Sequence, residues 1–408
     1  MVLCLVLGAT TVSIGAFPAL LPEVGAAARL ADWQLGAVAG AFGFARMLAD
    51  VPVGLFITHH LARALRLVPL FLLAGAALLA GGDGFAALLA GRALLGAGHT
   101  LATLAGLTAI LRHRAGRGLA ASLAALELSA MLGVLAGAAL ISVLPRTIPW
   151  NAAFLVACAP SVGWLALLPT LRRLLPVSQR AGARPLFARS DEAPRTPDGA
   201  RSGSRAPVVA LLAGVAGAVI AVSYATVEQF LVPIRGSREF GLDRLGIARL
   251  LMLGQAVDIV ALLPLGMLAD RRGAPPVLGG VLLTFALALG LLGFGGLPLM
   301  IAGCGLFGLG MAGWTLPLGV LRSVTPRGQV AWRTALYRVA VDGGVCLGPL
   351  LSGVLATRHG GVLPGVLIAL LATTGVALLV GIAVAPHAGG GSSLCVDGGS
   401  GSSAPSGC

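Results

Sequence analysis

Pro264-Leu265-Gly266-Met267-Leu268-Ala269-Asp270-Arg271-Arg272-Gly273 closes an apolar run near 246–268 with three consecutive charges and a glycine. A related stretch, Pro52-Val53-Gly54-Leu55, closes an apolar run near 34–57, with Gly54 lying 212 residues before Gly266. About 20 apolar residues suffice for a helix to cross the hydrocarbon core of a bilayer. Charges at the end of such a run sit at the water interface, with arginine favoured on the cytoplasmic side. The stretch therefore reads as the end of a membrane helix, and its upstream partner as the end of the equivalent helix in a repeated unit.

Further matches keep the same register. Leu20-Leu21-Pro22 corresponds to Leu231-Val232-Pro233 at a shift of 211; Gly96 and Gly98 correspond to Gly308 and Gly310 at 212; Gly133 and Gly137 correspond to Gly344 and Gly348 at 211. With 60 glycines any single match is cheap, but four in register, each at the equivalent helix, are not. Twelve apolar segments fit the chain, near 2–22, 34–57, 65–82, 85–111, 119–144, 150–170, 207–233, 246–268, 276–296, 298–321, 330–356 and 361–385. The expected fold is an all-α integral membrane protein of twelve transmembrane helices in two six-helix pseudo-symmetric halves. Parallel six-helix repeats related by an axis along the membrane normal place a substrate site between the halves, near the midplane.

Composition supports the bilayer as solvent. Hydrophobic residues make up 57% of the 408 positions and charged residues only 11%, against roughly a quarter charged in soluble proteins. Only helices and closed barrels satisfy the backbone in lipid, and the long Leu-, Ala-, Val- and Gly-rich runs are helical rather than alternating. All 28 basic residues are arginine. They cluster in loops, so anionic lipid headgroups are the expected partner and nucleic acid is not. The six cysteines have no metal-ligand spacing, and neither a cofactor nor a metal is expected. No basic stretch precedes the first apolar run, so a cleaved signal peptide is not expected.

The domain reading is a first half, 1–171; a basic linker, 172–206, with eight arginines; a second half, 207–386; and a Gly/Ser-rich tail, 387–408. With the N-terminus in the cytoplasm, 17 arginines fall in cytoplasmic loops and 6 in the opposite ones; without the linker the numbers are 9 and 6. Both termini are expected to be cytoplasmic, in a bacterial inner membrane, and the protein is expected to work as a monomer.

The stretch Gly266–Gly273 resembles a loop signature of the major facilitator superfamily, a glycine followed by an Asp-Arg pair and a second glycine. The resemblance implies that Asp270 and Arg271, flanked by Gly266 and Gly273, latch helix ends in one conformation. Gly54 opens the first-half copy, which departs from the pattern: Thr58 stands where the family has Asp, followed by His59 and His60. Arg46 through Gly54 resembles the family's second helix, and Arg92-Ala93-Leu94-Leu95-Gly96-Ala97-Gly98 resembles the fourth-helix signature of proton-coupled members. The likeness to drug-efflux members at these two helices favours export, although the fifth-helix antiporter motif is absent.

Ionisable residues within membrane helices default to functional hypotheses. Salt bridging is the bland alternative for each. Arg46 with Asp50, and Arg338 with Asp342, are four apart and share a helical face, so each couple is expected to neutralise itself within its own helix. Glu127, Glu228 and Asp258 have no charged neighbour one turn away. Desolvation disfavours the charged form of a carboxylate, which makes these three the candidates for proton coupling. Arg46, Arg92, His99, Tyr224, Gln229, Gln255, Arg338 and Asp342 are the candidates for lining a substrate cavity. Trp314, Trp332 and Tyr337 are expected to be packing or interface aromatics.

These features favour a proton-coupled secondary transporter of a small organic molecule working by alternating access, with protons and the substrate as partners. Uptake by symport, and a non-transporting sensor or scaffold, are the alternatives. An enzyme is not expected, since no loop pairs catalytic acids, clusters histidines or cradles a phosphate.

Overall fold

The computed structural model describes residues 2–82, 84–113, 119–174, 206–326, 329–359 and 361–383. Most of the basic linker and the whole Gly/Ser tail lie outside the described residues. Among those described, the chain is helical with short turns and has no strand. The first half comprises α1 (Val2–Ala27), α2 (Asp32–Gly81), α3 (Phe85–His113), α4 (Leu119–Val143) and α5 (Trp150–Leu174). The second comprises α6 (Ala206–Thr226), a π-helical turn (Val227–Leu231), α7 (Val232–Phe240), α8 (Arg244–Arg272), α9 (Ala274–Phe294), α10 (Leu297–Met311), α11 (Leu316–Ser323), α12 (Val330–His359) and α13 (Val362–Ala383).

Eleven continuous segments among the described residues are long and apolar enough to span a membrane. One of them makes two crossings. Helix α2 has 50 residues, roughly 75 Å if straight at about 1.5 Å per residue, more than twice the ~30 Å core. Its backbone leaves helical geometry at His60, with φ −132° and ψ 39°. The chain reverses there. The Phe42 backbone lies against Gly96 and its ring 5.6 Å from His99, while Leu72 packs on Gly98. Two residues 30 apart thus meet the same turn of α3, as only a folded-back helix allows. The segment 207–240, comprising α6, the π turn and α7, is one crossing, as is 297–323, comprising α10 and α11. The total is the expected twelve.

Glycine packing repeats between the halves. A Cβ on Gly133 or Gly137 would strike the carbonyls of Gly8 or Val12 on α1. A Cβ on Gly344 or Gly348 would crowd the backbone of α6 around Ala218 and Val222. Gly96 abuts the carbonyl of Phe42, and Gly308 that of Gly254; each contact is the 212-residue translate of the other. The sequence register therefore follows close backbone approach, the use small residues serve between membrane helices.

The end carrying the turns 28–31, 144–149 and 241–243 is fastened across the halves. Arg238 pairs with Asp32 at 2.5 Å, Arg146 pairs with Asp243, and Arg244 reaches Glu23 at 3.5 Å. Arg244 also donates to the carbonyls of Ile148, at 2.9 Å, and Pro145. Gly36 of α2 and Gly353 of α12 touch backbone to backbone beside these pairs. At the opposite end, Asp270, Arg271 and Arg272 are exposed and form no ion pair among the described residues.

Candidate functional site

The π turn places two adjacent polar residues, Glu228 and Gln229, inside the protein, both buried. A π turn bonds i to i+5, opens the helix locally, and is frequent at functional sites. Tyr224, one turn earlier, donates its hydroxyl to Glu228 Oε1 at 3.2 Å; Gln255 of α8 donates Nε2 to Glu228 Oε2 at 3.0 Å. Glu228 therefore has a donor on each carboxyl oxygen. Gln255, a cavity candidate from sequence, is thereby joined to the coupling candidate Glu228. Tyr224 is held in turn by Trp314, with ring centroids 5.5 Å apart, and is stacked at 6.5 Å on Phe307. Trp314 thus braces a candidate site residue as well as packing.

Arg92 reaches this cluster from the other half. Its Nη2 donates to Gln229 Oε1 at 3.3 Å. The guanidinium lies 3.9 Å from the Phe17 ring centroid and 5.1 Å from that of Phe42. Arg92 is only 1% exposed, so cation–π attraction in a desolvated setting supplies contacts that water would otherwise make. Phe17 and Phe42 were not singled out from sequence, because a phenylalanine on an apolar helix carries no separate signal. His99 lies beside Phe42 and within 3.3 Å of the Thr103 hydroxyl.

Asp258 is 4% exposed, and its Oδ1 has no hydrogen-bond partner among the described residues. It lies in electrostatic range of Glu228 and Glu127. Glu127, on α4, is exposed and lies in electrostatic range of Arg46 and Arg338.

The four seam charges pair differently from the in-helix expectation. Arg46 Nη2 meets Asp342 Oδ1 at 2.8 Å, and Arg338 Nε meets Asp50 Oδ2 at 3.3 Å. Each arginine selects the acid of the other half, because α2 and α12 lie against each other along Gly40, Gly43 and Cys346. The loop residues of the expected latch stand apart from this centre. Gly54 and Gly266 face open space, whereas Gly273 has φ +88° and ψ 146°, a conformation in which side chains are rarely tolerated. Thr58 donates its hydroxyl to the Gly54 carbonyl at 2.9 Å.

Residues 208–393 match the family model described as the Major Facilitator Superfamily. A search of curated protein sequences finds no match. Among solved structures, the chain is similar to a POT family transporter in complex with a thioalcohol-conjugated peptide, with a TM-score of 0.76 at 14% identity, over 93% of this chain and 95% of that one. It is similar to the peptide transporter POT in complex with sulfate, at a TM-score of 0.70, 14% identity and coverage of 93% and 92%. It is also similar to the nucleoside transporter NupG, at a TM-score of 0.68, 14% identity and coverage of 94% and 97%. At these identities the likeness establishes the fold.

Proposed function

We propose, from the match of residues 208–393 to the Major Facilitator Superfamily model and the similarity of the fold to solved transporters, that the protein is a member of this superfamily and a proton-coupled secondary transporter of a small organic molecule. The observation that carries this reading is the continuity from Glu228 to Arg92. Glu228 is buried between Tyr224 and Gln255, and the adjacent Gln229 holds the arginine of the other half. A carboxyl group that gains or loses a proton here changes the charge beside the polar contact that joins Arg92 to the other half. Coupling then follows from a simple sequence. Protonation alters the hold of Gln229 and Arg92, the halves 1–171 and 207–386 shift, and the central side chains face the other side of the membrane. Asp258 lies in electrostatic range of Glu228, and of Glu127 in turn.

The arginine distribution supports placing the His60 bend and Gly273 in the cytoplasm, with the fastened end outside. In that orientation the structure is closed to the outside. The open positions around Gly54 and Gly266, and the unpaired Asp270, fit a latch that engages only when the cytoplasmic end closes. Peptides and nucleosides are the first substrate classes to try, since they are named for the structural relatives.

Reconstituted vesicles carrying an internal pH dye provide the test, with dialanine and uridine as probes and the acid side set inside or outside. Transport of a probe that moves protons with it, abolished as driven accumulation but retained as exchange in Glu228→Gln, is the expected result. Driven accumulation at the native rate in Glu228→Gln overturns the coupling assignment. The imposed gradient that supports accumulation reads the direction.

A further inference from the structure

The spacing of the seam charges allows two complete pairings, and the structure displays one of them. Arg46 and Asp50 are four residues apart on α2, as are Arg338 and Asp342 on α12. Residues at i and i+4 are neighbours on a helix surface. Yet both arginines form ion pairs across the halves, Arg46 with Asp342 at 2.8 Å and Arg338 with Asp50 at 3.3 Å. All four groups form one cluster: Asp342 is in electrostatic contact with Arg46, Asp50 and Arg338 together. An exchange of partners thus needs side-chain rotation and no new charge.

We propose that these four residues are a partner-exchange device. With α2 and α12 in contact, each arginine holds the acid of the other half. When the two helices part at this level, Arg46 turns to Asp50 and Arg338 turns to Asp342. The proposal rests on the reading that the halves move relative to each other during transport.

Physical necessity favours such a device. Separating a low-dielectric ion pair without replacement leaves two desolvated charges, which is strongly unfavourable. Asp342 is 2% exposed in its side chain and Asp50 10%, against 25% and 35% for Arg46 and Arg338, so the two acids are the groups that most need a replacement partner. The other seam shows what a different solution looks like. The positions equivalent to Arg46 and Arg338, at shifts of 212 and 211, are Asp258 and Glu127 on α8 and α4. Neither has a charge four residues before or after it: Gly254 and Leu262 flank Asp258, and Leu123 and Met131 flank Glu127. Exchange is therefore confined to the α2–α12 seam, where both arginines and both acids occur at matched spacing.

Two double variants of equal net charge separate the pairings. Asp50→Asn with Arg338→Gln leaves Arg46 and Asp342, which pair only across the halves. Arg338→Gln with Asp342→Asn leaves Arg46 and Asp50, which pair only within α2. Spin labels at Val51 and Leu336, both exposed beside the seam, report the separation of α2 and α12 by pulsed electron resonance. The full-length protein, with native cysteines replaced, is measured in lipid discs.

We expect the unmodified pairing to give a short and a long distance. The first variant should lower the long population at least fivefold, and the second should raise it at least fivefold. Reversing all four, Arg46→Asp, Asp50→Arg, Arg338→Asp and Asp342→Arg, keeps both pairings and should restore both populations. Shifts of the two double variants in the same direction, or no shift in either, overturn the proposal, whether or not the fourfold reversal folds. The distances do not depend on flux. Two populations in a protein that moves no probe would therefore defeat the transport reading and leave the exchange standing.

Discussion

Arg92 of the first half and Gln229 of the second share a hydrogen bond of 3.3 Å between residues 137 apart in sequence. The guanidinium is otherwise clasped by the rings of Phe17 and Phe42, with its Nε unpartnered. A buried cation with so few polar contacts is sensitive to losing one.

Gln229→Ala removes that acceptor while leaving the cation in place. A hydrogen bond to a charged group contributes about 1.5–3 kcal/mol, so a stability loss of that order is expected. Thermal melting in detergent should show it as a lowered midpoint. An unchanged midpoint would mean that the two rings alone satisfy Arg92.

Tyr224→Phe removes one donor from Glu228 and keeps the aromatic ring against Trp314. Stability should change by about 0.5–1.5 kcal/mol. If Glu228 carries the proton, gradient-driven accumulation of the probe should fall several-fold while exchange continues. Equal loss of both activities would point to a binding role for the hydroxyl instead.

The fastened end offers a contrast between two arginines. Arg244 is almost fully buried and bonds two carbonyls of the 144–149 turn, whereas Arg238 is half-exposed in its pair with Asp32. Arg244→Ala is expected to cost about 2–3 kcal/mol, and Arg238→Ala less than about 1 kcal/mol, as for exposed pairs. Comparative melts decide this. Arg244→Ala should also raise labelling of a cysteine placed at Ile148, since the turn loses its anchor.

Glycines sort by what stands opposite them. A Cβ at Gly137 would lie 2.0 Å from the Val12 carbonyl, so Gly137→Ala must push α1 aside at a cost of about 3 kcal/mol. A Cβ at Gly266 meets nothing within 4 Å, and Gly266→Ala should stabilise the helix by about 0.5–1 kcal/mol. A transport defect in the second variant without a stability defect would support its place in the latch, where contact forms in the other conformation.

Much of the architecture was legible because it is written locally. The two arms of α2 were separable as runs near 34–57 and 65–82, since the charged and histidine-containing stretch between them interrupts the apolar pattern. The glycine register was legible because close backbone approach demands small residues at fixed helical spacing. The ion pairs were not. Spacing of four within α2 or α12 displays only the neighbour on the same helix, and whether the other half comes closer depends on packing at Gly40, Gly43 and Cys346. Tyr224, Glu228, Gln229 and Gln255 were identifiable as polar residues in apolar runs. Their joining to Arg92 needed the tertiary fold, and Phe17 was hidden by its likeness to every other core aromatic.

The π turn leaves a trace in the numbering of the repeat. Before it, equivalent glycine contacts on the first helix of each half lie 210 residues apart: Gly8 with Ala218 opposite Gly133 and Gly344, and Val12 with Val222 opposite Gly137 and Gly348. After it, Pro22 and Pro233 lie 211 apart. One extra residue has been accommodated between, and the widened turn at 227–231 is where the helix absorbs it. Phe17 and Pro18 occupy the corresponding level of α1, facing the place where the second half carries Glu228 and Gln229. The inserted residue thus falls at the level where the two halves meet Arg92 with unequal chemistry, the aromatic cradle on one side and its polar contact on the other.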